Sequence, residues 1–324
     1  MNQIRSPIDP PLSQPILSIF LIIFSIVVGI LSILKTDVYF PYILFSLFCF
    51  LIVCYISLAI FYGFVRPKRK LRKPSQQFER IDWSTADDEF VVRYEKWNET
   101  RSPLVIAIHG WQSDSSSSEY RIQPFLDNGY HSVMIDLPGH GFSDGLKFWS
   151  AIECGERILA MLSSEAKNWD LKKISSVVLF GHSMGGFISL RHANRMSDLL
   201  PVPISRVYLE SPMTSFPLVF KQRTSGFKII ARCISRIEMR WAYVRDGPDP
   251  DVKWNEFQVP EWGVPRIPIR ILQAENDIAL GPYHLELLKK NAADDWEIVI
   301  DSELQHNGKN RGNAVVQYNA WMSN

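Results

Sequence analysis

The first 65 residues form an almost uncharged segment, and this feature constrains the fold more than any other. Residues 16–34 are 19 consecutive uncharged residues, and a second uncharged run covers residues 38–65. A helix rises about 1.5 Å per residue, so each run can cross a hydrocarbon layer of roughly 30 Å. We therefore predict two membrane helices, at about 16–34 and 40–64, that form an N-terminal anchor over residues 1–65.

Two alternatives to a membrane hairpin fit these runs less well. A cleaved signal peptide has a shorter apolar region and a small-residue cleavage site, whereas here a second apolar run follows at once. A buried hairpin of a soluble protein normally keeps a polar stripe, and neither run has one. The stretch Tyr39-Phe40-Pro41-Tyr42 and Tyr62 are typical of aromatic anchors at a membrane interface.

A basic stretch after the second run predicts the orientation of the anchor. Residues 66–73 (RPKRKLRK) contain six basic side chains, whereas the loop between the runs has one Lys and one Asp. By the positive-inside rule this stretch is cytoplasmic, and with two spans the N-terminus and the remaining chain are cytoplasmic too. We predict that residues 66–84 are a basic linker. Its charges either attract anionic lipid or serve only as a topology signal.

The net charge and the cysteine spacing restrict which partners and sites the chain is expected to have. The formal net charge of +1 gives no overall reason to expect a nucleic-acid partner. Two of the four cysteines lie in the second apolar run, and Cys154 and Cys233 are far apart in the rest of the chain. This spacing indicates neither a disulfide framework nor a CxxC metal site, which agrees with a reducing compartment.

Beyond residue 85, short apolar runs alternate with segments of helical periodicity. This alternation predicts an α/β fold with a doubly wound, mostly parallel sheet covered on both faces. In such sheets, ligands bind beyond the carboxyl ends of the strands. The apolar runs are residues 89–97, 104–110, 132–141, 175–183, 205–212, 267–277 and 296–303, and the polar residues at their ends include His109, Asp136, Ser183, Glu210, Asp277 and His306.

The sequence LFGHSMGGF, residues 179–187, contains the pattern G-x-S-x-G around Ser183. Such a short pattern occurs by chance, but here it joins a buried strand to the start of a helix. A sharp strand-to-helix turn exposes the serine hydroxyl and crowds the backbone, so that glycines are needed at Gly181 and Gly185. We predict that Ser183 is a nucleophile and that the Met184 N–H donates to an oxyanion.

A nucleophilic serine needs a base, and in this architecture the order along the chain is serine, acid, histidine. Three histidines follow the serine. His192 lies on the next helix, His284 reads as solvated on a surface helix, and His306 lies in the loop after the last strand, so we predict His306 as the base. The acid is either Asp277 or Glu210. We favour Asp277 because it follows the penultimate strand, which is the usual acid position.

The second oxyanion donor is expected in the loop after the first buried strand. The sequence HGW makes the Trp111 N–H the candidate, with His109 and Gly110 supporting the loop. We interpret His140 as a second loop histidine held by hydrogen bonds, and Asp144 as a turn residue.

Five ordered blocks resemble the α/β-hydrolase superfamily: VIAIHGW, DLPGHGFSDG, LFGHSMGGF, ILQAEND and the late His306. They are most similar to its lysophospholipase and monoacylglycerol-lipase-like branch of serine hydrolases. The resemblance covers residues from about 85 to 324 and implies the triad Ser183, Asp277 and His306, with no metal and no organic cofactor. Two departures concern loop geometry: Ile-Ala-Leu follows AEND where the branch often has Val-Pro, and ELQ precedes the histidine in place of a glycine-rich lead.

An insertion at about residues 212–265 resembles the cap that covers the active site in this superfamily. Lys228, Arg232, Arg236 and Arg240 recur every four residues and predict a basic ridge along one helix. Over residues 228–240 this ridge is either a membrane-surface element or a solvated outer face of a lid helix.

Three hypotheses follow for the function. The first is a membrane-anchored serine hydrolase that cleaves carboxylic esters, such as acylglycerols or lysophospholipids, through an acyl-enzyme. The second is a peptidase or amidase that resembles the proline iminopeptidases. The third is a non-catalytic, membrane-tethered binding protein on the same fold, which the complete set of candidate catalytic residues disfavours.

Overall fold

The computed structural model describes residues 5–34, 40–84, 90–247, 249–261, 263–308 and 311–323. Its strands are β1 (Glu79–Ser84), β2 (Phe90–Lys96), β3 (Ser102–Ile108), β4 (His131–Ile135), β5 (Ile174–His182), β6 (Ile204–Glu210), β7 (Ile269–Ala274) and β8 (Glu297–Asp301). They form one sheet in the order β1-β2-β4-β3-β5-β6-β7-β8. Only the β1–β2 and β2–β4 pairs of this described sheet are antiparallel, which confirms the predicted α/β class with a mostly parallel sheet.

The helices alternate with these strands after the N-terminal pair. They are α1 (Ile16–Leu34), α2 (Phe40–Val65), α3 (Ser115–Asp127), α4 (Ala151–Glu165), α5 (Met184–Leu199), α6 (Phe216–Arg223), α7 (Ile229–Asp246), α8 (Tyr283–Asn291) and α9 (Gly312–Ser323).

The continuous apolar runs follow from burial of the sheet on both faces. In β3, Leu104, Ile106 and Ile108 join the core under α4 and α5, whereas Val105 and Ala107 join the core under α3 and α9. Because side chains alternate between the two faces of a strand, a strand covered on both faces must be apolar at every position.

Two segments differ from the sequence prediction. Residues 79–84, expected in the linker, form the edge strand β1, whose polar sequence and partial exposure suit a sheet edge. Residues 115–118, a run of four serines for which no element is predicted from the sequence, form the first turn of α3. The reason is a helix cap, because the Asp114 carboxylate accepts a hydrogen bond from the Ser117 N–H at 3.1 Å.

The cap comprises α6 and α7, which lie between β6 and β7. The outward face of α7 exposes the apolar side chains Ile230, Ile237 and Trp241. Two of the basic side chains lie at the edge of this face and contact the cap. Arg236 stacks on the Trp254 ring, and Arg240 donates to the Pro250 carbonyl at 2.8 Å.

The helices α1 and α2 pack on each other and on α7. Three serine hydroxyls meet in the contact: Ser57 Oγ lies 3.0 Å from Ser235 Oγ and 3.3 Å from Ser18 Oγ. The buried Glu238 carboxylate of α7 accepts a hydrogen bond from the Ser18 N–H in the first turn of α1. A carboxylate at a helix N-terminus is favourable because N–H groups there lack helical partners.

The segment before α1 is tied to the sheet domain. Asp144 accepts hydrogen bonds from Arg5 Nη1 at 2.9 Å and from the Ile8 N–H at 2.6 Å, and Ser13 N–H donates to the Lys147 carbonyl at 2.7 Å. The start of α1 and the end of α2 therefore lie at the same side of the domain. The predicted interface residue Tyr39 and the connecting loop 35–37 lie outside the described residues.

Candidate active site

Ser183 occupies the turn between β5 and α5. Its backbone has φ 53° and ψ −115°, a conformation that L-residues rarely adopt and that the surrounding structure must hold in place. The two flanking glycines are needed because neither position has room for a side chain. A Cβ on Gly185 would lie 2.1 Å from the Ile108 carbonyl oxygen, and one on Gly181 would lie 2.6 Å from Ser189 Oγ.

The three side chains predicted as a triad form one hydrogen-bonded row. His306 Nδ1–H donates to Asp277 Oδ2 at 2.8 Å, which leaves Nε2 free to accept from the Ser183 hydroxyl at 3.0 Å. These distances lie in the range that a nucleophile, a base and an orienting acid require.

Asp277 is fixed by the loop that carries it. Its second carboxylate oxygen accepts hydrogen bonds from the Ala279 N–H at 3.0 Å and the Leu280 N–H at 2.9 Å. The Asp277 side chain is only 3% exposed, so these two donors and His306 hold its orientation. The Ile-Ala-Leu departure noted in the sequence thus supplies the backbone donors of the acid.

The loop after β3 passes close to the serine. A Cβ on Gly110 would lie 2.9 Å from His182 Nδ1 and 3.1 Å from the Ser183 Cβ, so only glycine fits there. Trp111 and Met184 both line the cleft above the serine. Among the described residues, no acceptor receives a hydrogen bond from the Trp111 or Met184 N–H, which leaves both donors available.

His109 and His140 hold this loop as neutral hydrogen-bonding groups. His109 donates from Nδ1 to the Gly110 carbonyl at 2.8 Å and accepts at Nε2 from the Leu137 N–H at 3.0 Å. His140 donates from Nδ1 to a backbone carbonyl at 3.1 Å and accepts at Nε2 from the Gln112 N–H at 3.1 Å. Burial lowers the pKa of His109 to about 4 and that of His140 well below its ordinary value.

A family model described as the alpha/beta hydrolase family matches residues 105–305, which include Ser183, Asp277, the end of β3 and the strands β4 to β8. The chain belongs to the alpha/beta hydrolase family.

Known proteins similar to this α/β hydrolase include a probable serine hydrolase, a phospholipase and an esterase. A probable serine hydrolase of Drosophila melanogaster is 31% identical over 35% of this chain and 31% of its own length. A phospholipase of Bacillus subtilis is 29% identical over 34% of this chain and 40% of its own length. Each match spans less than half of the relative. The solved structure of an esterase from Pyrococcus furiosus shares the fold, with a TM-score of 0.54 and 16% identity over 80% of this chain and 96% of that one.

Glu210, the alternative acid, binds arginines and not a histidine in this α/β hydrolase. Its buried carboxylate contacts Arg121 Nη1 at 3.0 Å, Arg311 Nη1 at 2.6 Å and the Tyr318 hydroxyl at 3.2 Å. Burial opposes ionisation, but the two guanidinium charges outweigh it and hold the pKa of Glu210 below its ordinary value. Arg121 in turn donates to the His306 carbonyl at 3.4 Å. Glu210 therefore stabilises the loop that carries His306, through its contact with Arg121.

The prediction that His284 is a solvated surface residue is wrong. Its ring is 1% exposed and accepts a hydrogen bond at Nδ1 from the Thr214 N–H at 3.0 Å, because the first turn of α8 packs on the entry to the cap. Burial lowers the pKa of His284 to about 4. His192 is also buried, on α5, with Glu156 Oε1 3.9 Å from its Nδ1.

Sequence reasoning missed one further contact of the base. His182, directly before the serine, donates from Nε2 to the His306 carbonyl at 2.9 Å. Together with Arg121 it fixes the backbone of the histidine loop. The residue stands inside the motif GHSMG, but its partner is 124 positions away, and the spacing of the motif carries no signal of that contact.

The cleft above Ser183 has an empty volume of about 1610 Å³ and is open to solvent on one side. We call it the Ser183 cleft. Its walls come from the elbow, the loop after β3, the cap and the N-terminal helix α2, and its lining residues include Ile56, Ala59, Gly63, Phe64, Trp111, Trp149, Met184, Met213, Phe216, Val219, Leu280 and His306. In the described part of the chain, no group of three or more His, Cys, Asp or Glu residues is arranged to hold a metal ion.

Proposed function

We propose that this α/β hydrolase is a membrane-anchored serine hydrolase that cleaves carboxylic esters of lipid-like substrates, such as acylglycerols or lysophospholipids. The observation that carries the proposal is the hydrogen-bonded row Ser183–His306–Asp277, with distances of 3.0 Å and 2.8 Å. The strained backbone at Ser183 supports the same role, because it aims the hydroxyl out of the turn and into the cleft.

The reaction proceeds in two half-reactions. His306 Nε2 takes the hydroxyl proton of Ser183 while Oγ attacks the ester carbonyl carbon, and the carbonyl oxygen becomes an oxyanion near the N–H groups of Trp111 and Met184. The C–O bond to the alcohol breaks, and His306 returns the proton to the leaving alcohol. Water then attacks the acyl-enzyme with His306 as base, and this step releases the carboxylic acid and restores Ser183.

The cleft favours an apolar substrate. Its lining is dominated by aliphatic and aromatic side chains, and a neighbouring cavity of about 580 Å³ shares Phe64, Trp149 and Phe216 with it. The similarity to a phospholipase and to esterases supports the same substrate class. Ester-bonded acyl chains fit an apolar cleft better than peptides do. The amide groups of a peptide backbone need hydrogen-bond partners, and aliphatic and aromatic side chains do not offer them.

The N-terminal helices support membrane anchoring. They contain 19 and 26 residues, and only 11% and 17% of their most apolar stretches are buried in the structure. At about 1.5 Å per residue, both lengths suffice for a hydrocarbon layer of roughly 30 Å. The common location of both helix ends beside the domain suits two spans. We propose the cytoplasm for the N-terminus and the domain, because residues 66–73 are strongly basic.

Activity-based labelling tests the enzymatic proposal. A fluorophosphonate probe is expected to label the full chain in vesicles, and Ser183→Ala is expected to lose both the label and about 10⁶-fold of the ester hydrolysis rate. The control Ser189→Ala alters a hydroxyl that bonds the Gly185 carbonyl at 2.8 Å within α5, and it should keep the label.

The substrate panel for this test contains p-nitrophenyl esters, a monoacylglycerol, a lysophospholipid and aminoacyl amides. Faster turnover of the amides than of the esters would support the peptidase alternative. A folded wild-type chain that takes no label would instead support a non-catalytic binding protein and refute the proposal.

A further inference from the structure

One wall of the Ser183 cleft is formed by the apolar helix α2. The six residues Tyr55, Ile56, Ala59, Ile60, Gly63 and Phe64 line the cleft together with Ser183 and His306. Their spacing of three and four positions places them on one face of the helix. At 1.5 Å per residue, this face runs for about 14 Å along the cleft. A helix of the membrane anchor is thus part of the substrate site.

Two small residues shape this wall. Gly63 lies in the last turn of α2, where it is the only glycine of the described helix and leaves one face without a side chain. Packing against the rest of the protein does not require this glycine, because a Cβ at this position would meet no heavy atom within 4 Å. Ala59, one turn earlier on the same face, is also small and exposed. The pair leaves open space beside the helix, within the cleft.

The same face of α2 continues beyond the cleft as an exposed apolar surface. Ile52, Phe48 and Phe45 follow Tyr55 toward the other end of the helix, and all four are exposed. Charged residues are absent from this described face. The basic residues of the cleft lining, Arg223 and Lys228, come from the cap instead. The wall made by α2 therefore suits a hydrocarbon chain, and the polar end of a ligand belongs toward the cap.

We propose that α2 forms the acyl-chain site: the unbranched chain of an ester lipid lies along Ala59 and Gly63, with its far end toward Tyr55 and the hydrocarbon layer. This inference rests on the proposed function, because it needs an ester at Ser183. It makes the second apolar helix a determinant of chain-length specificity as well as an anchor.

Bulky substitutions in the wall test the site. Gly63→Phe and Ala59→Phe should lower hydrolysis of a hexadecanoyl ester by about tenfold or more and change that of a butanoyl ester by less than about twofold, because only the long chain reaches the wall. Ile52→Trp adds bulk on the same face of α2 outside the cleft lining. This control should keep the wild-type ratio of long-chain to short-chain rates.

A second measurement uses the wild-type chain in phosphatidylcholine vesicles and does not depend on how the variants fold. The probe is an alkyl fluorophosphonate with a diazirine at the end of a sixteen-carbon chain. Ser183 Oγ displaces fluoride to form the O–P bond, His306 takes the hydroxyl proton, and illumination then attaches the chain end to its neighbours. We expect the cross-links in peptides of α2.

The outcomes separate the two proposals. Cross-links confined to the cap or the sheet domain, or an unchanged long-chain to short-chain ratio in labelled Gly63→Phe and Ala59→Phe enzymes, would overturn the acyl-chain site and leave the ester hydrolase intact. A wild-type chain that neither reacts with the probe nor hydrolyses the butanoyl ester would overturn both.

Discussion

Asp277 and Glu210 are two buried carboxylates near the loop that carries His306. Their hydrogen-bond partners differ, and so do the roles that we expect for them. Asp277 accepts the His306 Nδ1–H at 2.8 Å, whereas Glu210 bonds to Arg121 and Arg311. A carboxylate that orients the base acts on the reaction. A carboxylate that neutralises two buried guanidinium groups acts mainly on stability, because loss of its charge leaves them uncompensated.

The two positions should therefore respond differently to the loss of one charge. Asp277→Asn is expected to lower kcat by about 10⁴-fold with little change in the thermal unfolding midpoint, because the wrong tautomer of His306 is favoured. Glu210→Gln is expected to lower the free energy of unfolding by about 3–5 kcal/mol, with the rate per folded molecule changed far less.

Active-site titration with a fluorophosphonate supplies the concentration of folded enzyme for both variants, and thermal denaturation supplies the stability. The assignment of the acid would be reversed if Glu210→Gln lost the larger share of kcat while Asp277→Asn kept wild-type turnover.

Much of the candidate site could be predicted from single residues in the sequence. Ser183, Asp277 and His306 could be proposed because each lies just after a buried strand, and parallel strands bring such ends together. The contacts of His182, Arg121 and Arg311 could not, because each joins positions about 90 or more apart and no local pattern records the partner. The burial of His284 was missed for the same reason, since its partner Thr214 lies in the cap.

At the scale of elements, α7 joins the cap to the anchor. Its inner face carries Ser235 and Glu238, which bond to α1 and α2, and its outer face exposes Ile230, Ile237 and Trp241. A helix with an exposed apolar face and arginines along its edge suits the boundary between headgroups and hydrocarbon. Under the proposed membrane anchoring, we expect α7 to lie in this boundary beside α1 and α2.

Thiol labelling can test the position of α7 with a native residue. Cys233 is exposed on this helix. In a variant with Cys49, Cys54 and Cys154 replaced by Ala, a membrane-impermeant maleimide should label Cys233 about tenfold more slowly in vesicles than a cysteine at a fully hydrated site, because lipid covers the outer face.

The matched control carries Glu99→Cys in the same background with Cys233→Ala, since the Glu99 side chain is 96% exposed. Equal labelling rates at the two sites, with both proteins folded, would contradict the inferred position of α7.

The elements that the sequence predicted are those with a strong apolar signal. The buried strands and the long apolar helices α1 and α2 were found because nearly every residue in them is hydrophobic. β1 was missed because it is a polar edge strand, and α9 because it buries only Ala314, Tyr318 and Trp321. The first turn of α3 was missed because its stability comes from the Asp114 cap and not from apolar side chains.

At the scale of the whole molecule, burial keeps five histidines neutral. It lowers the pKa of His109 and His284 to about 4 and that of His192 to about 3, and it holds those of His140 and His182 well below the ordinary value. When the chain unfolds, each of these side chains regains a pKa near 6.5. Burial also raises the pKa of Asp136 to about 6, which acts in the opposite direction.

The free energy of unfolding should therefore fall as the pH falls from about 6.5 toward 4. In this window the unfolded chain takes up protons on these histidines that the folded chain does not, and Asp136 offsets part of this uptake. The free energy of unfolding therefore rises with pH here, because the unfolded state binds more protons than the folded state. Thermal unfolding of the full chain in detergent between pH 7 and pH 5 measures this pH dependence.

His192→Leu provides the matched control for this pH dependence. Within the described residues neither ring nitrogen of His192 has a hydrogen-bond partner, so an apolar replacement removes the titrating group without leaving a donor unpaired. The variant should show a smaller pH dependence than the wild type and keep the wild-type midpoint, or a higher one, at pH 7. Parallel curves for the two proteins would refute the assignment.

The serine and glutamate contacts between the anchor and α7 have a consequence for synthesis. Ser57 and its partner Ser235 are 178 positions apart, and Ser18 and Glu238 are 220 apart. Ribosomes add about 5–20 residues per second, so α1 and α2 are complete for roughly 10–40 s before α7 exists. During nascent-chain growth the surface of α1 and α2 that contacts α7 is uncovered, and translation of α7 supplies the partners of Ser18 and Ser57.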